Sequence, residues 1–378
     1  MLLLEWLVLA VIYFSTPAVA CIFKYGTSPD SLAPPHGGSP WNHALQGDDW
    51  AGVDAAGNPW MCLTGTHQSP LNLPNPGSLN RHGDHIPDKF RTRWSYPTIY
   101  SNGSNVEVIN NGHAIQIEWL SPYAADVEIV VPGVSNATRI AAVLNMKPGD
   151  NFTTVKAIPL QFHFHTVSEH LVGGKYYPLE LHIVHRVTDL PACTAGCFSV
   201  TGVLFELTQS EDNPFLEAIW AAMPMREGAI NYLPPDAEVR LEELLPPPSS
   251  REYVTYEGSL TTPPCSEGLL WHVMLKPQKI SMAQWTKYKT AVGYKECSPK
   301  NATTSATNAT NTRYNSRHLH RAQHRRLLTV GATAVTAEEA SSEGTNPDDY
   351  VCKVVAYGTN FRAPQHANNR TIKLAQVP

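Results

Sequence analysis

Residues 161–185, QFHFHTVSEHLVGGKYYPLELHIVH, constrain this chain more than any other stretch. The run opens with Gln161, His163 and His165 alternating with Phe162 and Phe164. Successive side chains on a strand point to opposite faces, so the two histidines look one way and the two phenylalanines the other. A second run, 179–185, places Glu180, His182 and Val184 on one face. Between them, Gly173, Gly174 and Pro178 suit a hairpin connection of the longer kind. Pairing the two strands lets His182 approach His163 and His165. Three neutral imidazoles with one open position are the ligand set of a catalytic zinc site. Metal-bound histidine commonly donates its other ring N–H to a supporting acceptor. Gln161 and Glu180 each stand two residues before a candidate ligand, on the same face. A lone buried histidine is more often an ordinary core residue, but His-x-His with a third histidine in matching alternation is poorly explained that way.

The rest of the chain supports a large β-rich body. With 378 residues, 42% of them hydrophobic, it is long enough for one large core or two ordinary ones. A net charge of −5 argues against nucleic acid as a partner. Residues 106–119 read as two strands around the turn signal Asn110-Asn111-Gly112. Residues 124–131, 200–207 and 350–357 read as further strands, and 214–223 as one of few helices. Residues 41–100 mix Gly, Pro and Trp and read as loops and short strands wrapping the core. Residues 238–245 end at the rigid connector Pro246-Pro247-Pro248. No internal repeat is visible.

Several motifs besides QFHFH, SEH and ELHIVH carry a family resemblance. They are QSPLNL at 68–73, NNGHAIQIEW at 110–119, YEGSLTTPPCSEGLLWHV at 256–273 and NFRAPQHANNRTIKLA at 360–375. In this order they resemble the α-class carbonic anhydrases, over about 41–298 and 350–375. The resemblance implies a mainly β (α+β) fold, a large, mostly antiparallel twisted sheet with small peripheral helices. It implies Zn2+ on His163, His165 and His182, with Gln161, Glu180 and Asn111 as supporting residues. The implied reaction is reversible hydration of carbon dioxide to bicarbonate and a proton by a zinc-activated hydroxide. His113 would carry the proton, since histidine titrates near neutral pH without help. Thr261 would accept a hydrogen bond from the hydroxide and donate one to Glu169, with Thr262 beside it; a hydroxyl can do both. Val184, Val200, Leu260 and Trp271 match the family's apolar pocket wall. The family usually has Trp-Gly-Tyr or Trp-Ser-Tyr near its start, whereas this chain has Trp41-Asn42-His43. Two rivals are a zinc esterase, which shares the activated hydroxide, and a catalytically silent binding relative, which would have lost a zinc ligand.

Residues 1–20 read as a secretory signal, nearly all apolar from 2 to 14 but broken by Glu5, and ending in Ala18-Val19-Ala20. The apolar core is too short for a membrane span. Six sequons fit secretion in a eukaryote, at Asn102, Asn136, Asn151, Asn301, Asn308 and Asn369. Asn369 is set aside because its segment resembles a buried strand. Seven cysteines in an oxidising compartment read as disulfides with one left over. Cys62 and Cys265 match a bridge of secreted relatives. Cys193 and Cys197 suit a local loop bridge, and Cys297 and Cys352 flank a late insertion that they could span. Cys21 is the odd one, available for an intermolecular bond. Residues 298–347 are poor in aromatic residues and rich in Asn, Thr, Ala, Ser, His and Arg, a composition of disordered or processed segments. The basic, His-rich run 317–326 within them reads as a solvated, protease-sensitive loop. The expected catalytic domain is therefore 21–297 together with 348–378. These features resemble the periplasmic enzymes of green algae. They imply secretion to a periplasmic space or cell surface, disulfide-linked large and small fragments, and a dimer through Cys21.

Overall fold

The strand Phe152–His165 is the hub of the structure. It pairs with Ile115–Trp119, Val127–Pro132 and Leu179–Val187. This computed structural model describes residues 39–54, 56–79, 84–119, 127–132, 140–187, 190, 197–299, 350–356 and 358–375. Ten strands form one sheet. Its order runs Ile230–Tyr232, Val106–Asn110, Ile115–Trp119, Phe152–His165, Leu179–Val187, Cys197–Thr208, Glu267–Ser281, Tyr253–Ser259 and Ile372–Ala375, with Val127–Pro132 also on the hub. Every pairing in it is antiparallel except that of Cys197–Thr208 with Glu267–Ser281. A parallel pair needs a long crossover, and here the crossover includes the helix Pro214–Ala222. The mainly β, mostly antiparallel sheet with small helices is the architecture that the family resemblance implies.

Alternation along the hub sorts its side chains as the sequence predicts. Phe162 and Phe164 enter the larger core, where Phe164 meets Trp220 at 4.9 Å and Tyr288 at 5.8 Å between ring centres. Leu181 and Ile183 of the neighbouring strand join the same core, while Val184 belongs to the apolar cluster on the other face. Each such buried side chain contributes about 1.5–3 kcal/mol. The helix Pro214–Ala222 starts where the Asn213 side chain accepts the Phe215 N–H, and it buries Leu216, Ile219 and Trp220. A second helix, Met282–Ala291, escapes the sequence reading. Its signal is a capping box: Ser281 and Gln284 satisfy each other's backbone N–H groups.

The C-terminal part closes the site side of the sheet. Ile372–Ala375 pairs with Tyr253–Ser259, and Asn360 N–H donates to Thr166 O at 2.8 Å. Tyr294–Pro299 and Tyr350–Ala356 form a separate two-stranded ribbon in which Cys297 stands directly opposite Cys352. That ribbon takes in the first two residues of the expected 298–347 insertion. The signal segment, Cys21, Cys193, Asn136, Asn301, Asn308 and the run 317–326 lie outside the described residues. Asn369, set aside as part of a buried strand, is exposed in the turn before Ile372–Ala375, as are Asn102 and Asn151 in their own segments. The strand itself begins only after the sequon.

Candidate metal centre

Register brings the three histidines together: His163 lies directly across from His182, after an irregularity between Pro159 and Gln161. Ring centres are 5.0 Å apart for His163 and His165, 5.3 Å for His163 and His182, and 4.6 Å for His165 and His182. One nitrogen from each lies within 4.8 Å of the others. The opposite nitrogen of each ring is engaged. His163 Nδ1 meets Gln161 Oε1 at 3.0 Å, His165 Nδ1 meets Asn360 O at 2.7 Å, and His182 Nε2 meets Glu180 Oε1 at 2.8 Å. A carbonyl oxygen can only accept, so Nδ1 of His165 carries the proton and Nε2 is bare. That Nε2 is buried without any hydrogen-bond partner. Burial, then the neighbouring imidazoles, lower His163 well below the ordinary histidine range and His165 to about 3. Burial lowers His182 as well. Three neutral, outward-anchored imidazoles are the donors a zinc ion takes.

Glu180 is the main anchor behind them. Its Oε2 accepts the N–H groups of Glu169 and His170, at 2.9 and 2.8 Å. Its Oε1 takes His170 Nδ1 at 2.7 Å in addition to His182. Burial pushes this carboxyl up, but His170 and His182 outweigh burial and hold it well below the usual carboxylate range. His170 in turn reaches Tyr256 Oη at 2.7 Å through Nε2, and Tyr256 meets Ser69 Oγ at 2.9 Å. Sequence reasoning did not single out His170, Tyr256 or Ser69. Their residues lie inside the quoted motifs, but the spacing alone gives them no role.

Two further residues missed by sequence reasoning come from the C-terminal segment. Asn360 accepts from His165 through its carbonyl, and its amide donates to His113 O at 2.8 Å and Phe164 O at 2.9 Å. Arg362 donates its N–H to Glu169 Oε1 at 2.8 Å. Glu169 is fully buried; burial raises its pKa well above the usual range, against the influence of the Thr261 hydroxyl. Its Oε2 lies 3.8 Å from His182 Nδ1 and completes no hydrogen bond of its own.

Thr261 and Thr262 are buried on a turn held from outside by the Cys62–Cys265 disulfide. Cys265 N–H closes that turn on Thr262 O at 2.9 Å, and Met61 N–H meets Pro264 O at 2.9 Å. Cys197 is also disulfide-bonded. Val184, Val200, Leu260 and Trp271 pack in one apolar cluster, and the Trp271 ring stands 4.8 Å from that of His182.

His113 sits at the rim of the site, half-buried, and its ring stacks on Trp41 at 3.8 Å and 6°. The turn that presents it is shaped by Asn111, whose Oδ1 accepts the N–H groups of His113 and Ala114 at 2.9 and 2.7 Å. Gly112 has a φ of +82°, and the Glu227 carboxylate occupies the space that a Cβ would need. Glycine adopts that φ without strain.

The family whose sequence model matches this chain is described as eukaryotic-type carbonic anhydrase, over residues 48–331. The chain belongs to that family. A carbonic anhydrase of Nostoc sp. is 40% identical over 230 residues, 60% of this chain and 70% of that protein. Among solved structures, a halotolerant carbonic anhydrase from Dunaliella salina has a TM-score of 0.51 at 21% identity, covering 88% of this chain and 97% of that one. Carbonic anhydrase Cah3 from Chlamydomonas reinhardtii, in complex with acetazolamide, has a TM-score of 0.50 at 23% identity, covering 83% and 92%. These two structures share the fold of the α class. As an α-class carbonic anhydrase, the chain presents a cluster of three histidines suited to a metal.

Proposed function

We propose that this carbonic anhydrase hydrates carbon dioxide with a zinc ion on His163, His165 and His182 and returns the proton through His113. The observation that carries this reading is the set of three converging ring nitrogens whose opposite nitrogens are all tied to acceptors. A zinc ion bound there supplies Lewis acidity that makes water a nucleophile near neutral pH, a property for which carbonic anhydrases are themselves the reference case. The chain's own residues do the remaining work. Thr261, beside the buried Glu169, accepts from the attacking oxygen while donating to the carboxylate, and so aims a lone pair at carbon. Thr262 lies beside it on the same turn, its hydroxyl oxygen buried without a partner. Val184, Val200, Leu260 and Trp271 offer an apolar wall that suits a small nonpolar substrate and keeps bulk water off it. The new C–O bond gives bicarbonate, and the proton released from water leaves by way of His113. Asn111 holds the turn that presents His113.

Stopped-flow hydration of wild type against His113→Ala tests the reading. In dilute buffer the variant loses kcat by about 100-fold, the low end of what a positioned proton carrier supplies, while kcat/KM stays near wild type. Added imidazole restores much of the rate. Wild-type kcat in dilute buffer for the variant removes His113 from the mechanism, and a wild type without hydration activity removes the function.

We also infer an extracellular protein, secreted to a periplasmic space or cell surface and supplying inorganic carbon there. The support is the Cys62–Cys265 bridge, which an oxidising compartment maintains, and the exposed sequons at Asn102 and Asn151. No helix among the described residues is long and apolar enough to cross a membrane. Residues 21–297 and 348–378 form the catalytic domain in this reading, and cleavage within 298–347 leaves a large and a small fragment. The register partners Cys297 and Cys352 would join them, with Cys193 bonded to Cys197 and Cys21 linking two such units. Electrophoresis of the native secreted protein is expected to show one species that reductant resolves into two unequal fragments. A single band of full mature length in both conditions rejects both processing and the Cys21 dimer.

A further inference from the structure

His43 stands close to both the metal centre and His113, and the proposed reaction assigns it no part. One of its ring nitrogens lies within 4.8 Å of a nitrogen of His165 and an oxygen of Glu169. Its ring centre is 6.3 Å from that of His113. Both rings contact Trp41: His113 stacks flat on it, and His43 meets it edge-on at 5.2 Å. Trp50 holds His43 from another side at 5.5 Å, and the Trp50 indole N–H donates to Asn42 O at 2.7 Å. The imidazole is therefore wedged by two indoles with little freedom to turn. Its Nε2 is nevertheless inaccessible to solvent and has no hydrogen-bond partner. Buried polar atoms are almost always paired with protein or ordered water, and exceptions call for an explanation. A core histidine placed only for packing would have its nitrogens satisfied, as His185 and His272 do through Tyr96, Ser199 and Thr92.

We propose that His43 is a positioning residue for proton transfer, its imidazole hydrogen-bonding the water that passes the proton from the metal centre to His113. A neutral imidazole accepts at one nitrogen and donates at the other, so it can hold a water molecule in a fixed orientation without a net change of charge. The alternative occupant of the same nitrogen is a metal ion, which would make His43 a ligand. His165 of that trio already belongs to the three-histidine centre, which favours the water.

The inference rests on the zinc and His113 reading, and its test separates the two. His43→Phe keeps a ring between Trp41 and Trp50 and deletes both nitrogens; His43→Gln keeps a hydrogen-bonding group. Stopped-flow hydration in dilute buffer should show kcat of the Phe variant lowered about three- to tenfold, the rate equivalent of one net hydrogen bond. Its kcat/KM and zinc content should match wild type, and the Gln variant should recover part of the loss. A Phe variant with wild-type kcat overturns the role of His43 while leaving the functional reading standing. A parallel fall in kcat/KM, or loss of zinc, also overturns it and assigns His43 to structure or to the metal. A wild type that binds zinc but does not hydrate carbon dioxide overturns the functional reading, and this inference with it.

Discussion

His182→Ala is expected to leave a folded protein that neither retains zinc nor hydrates carbon dioxide. His182 is central to the site: it pairs across from His163, gives its Nε2 to Glu180, and faces the ring of Trp271. Truncation removes one of three converging nitrogens. The strand survives, because Leu181 and Ile183 stay in the core and Glu180 keeps His170 and two backbone N–H donors. Two imidazoles alone do not make the closed side of a tetrahedral site. With the metal goes its several kcal/mol of transition-state stabilisation, so hydration falls by about a thousandfold or more. Metal analysis after dialysis and a stopped-flow assay read the two effects separately. Chelation of the wild type should reproduce the loss of activity, and zinc should reverse it only in the wild type. A full zinc complement with wild-type hydration in the variant would sink the assignment.

Arg362→Met is expected to destabilise the fold markedly. The guanidinium is buried and bonds Gln68 Oε1 at 2.9 Å, Ser69 O at 2.7 Å and Cys62 O at 2.7 Å. It also lies 5.5 Å over the Trp50 ring. Burial lowers its pKa to about 10, so it stays charged at neutral pH. Methionine fills much of the volume and supplies no donor, leaving three acceptors without their partner. Unpaired buried acceptors cost about 1–3 kcal/mol each, and some will recruit water, so the net loss is about 3–5 kcal/mol. Lysine would not restore it, since a single ammonium cannot span three acceptors as the planar fork does. Hydration should fall too, because the guanidinium ties the Cys62 and Ser69 segments to the backbone whose N–H meets Glu169 Oε1. Urea unfolding monitored by tryptophan fluorescence gives the stability. A Met variant within 1 kcal/mol of wild type would show that the network carries little of the fold.

Glu180 and Arg362 illustrate how far the sequence could be read. Glu180 was legible because it lies two residues before His182 on one strand face, and a period of two dictates that neighbourhood. Arg362 was not, although its motif was visible. Its partners Cys62, Gln68 and Ser69 are about three hundred residues away in the chain. Asn360 is the same case: it anchors His165 from 195 residues away. The helix Met282–Ala291 carried a legible cap in Ser281 and Gln284 but no clear apolar stripe, and so went unread.

By itself, the sequence determined what local periodicity can encode. It put His163, His165 and Phe162, Phe164 on opposite faces, made a turn at Asn110-Asn111-Gly112, and marked the chain as mainly β. Its motifs also named the ligand candidates before any strand was paired. Tertiary structure alone decided the rest. The register that sets His163 against His182 depends on an irregularity between Pro159 and Gln161, and a slip of one residue would turn every ligand to the other face. The orphaned nitrogen of His43, the stacking of Trp41 on His113, and the reach of Asn360 and Arg362 into the site arise where distant loops cross the sheet. Alternation records which way a side chain points, but which partner it meets is settled only when the whole chain closes around it.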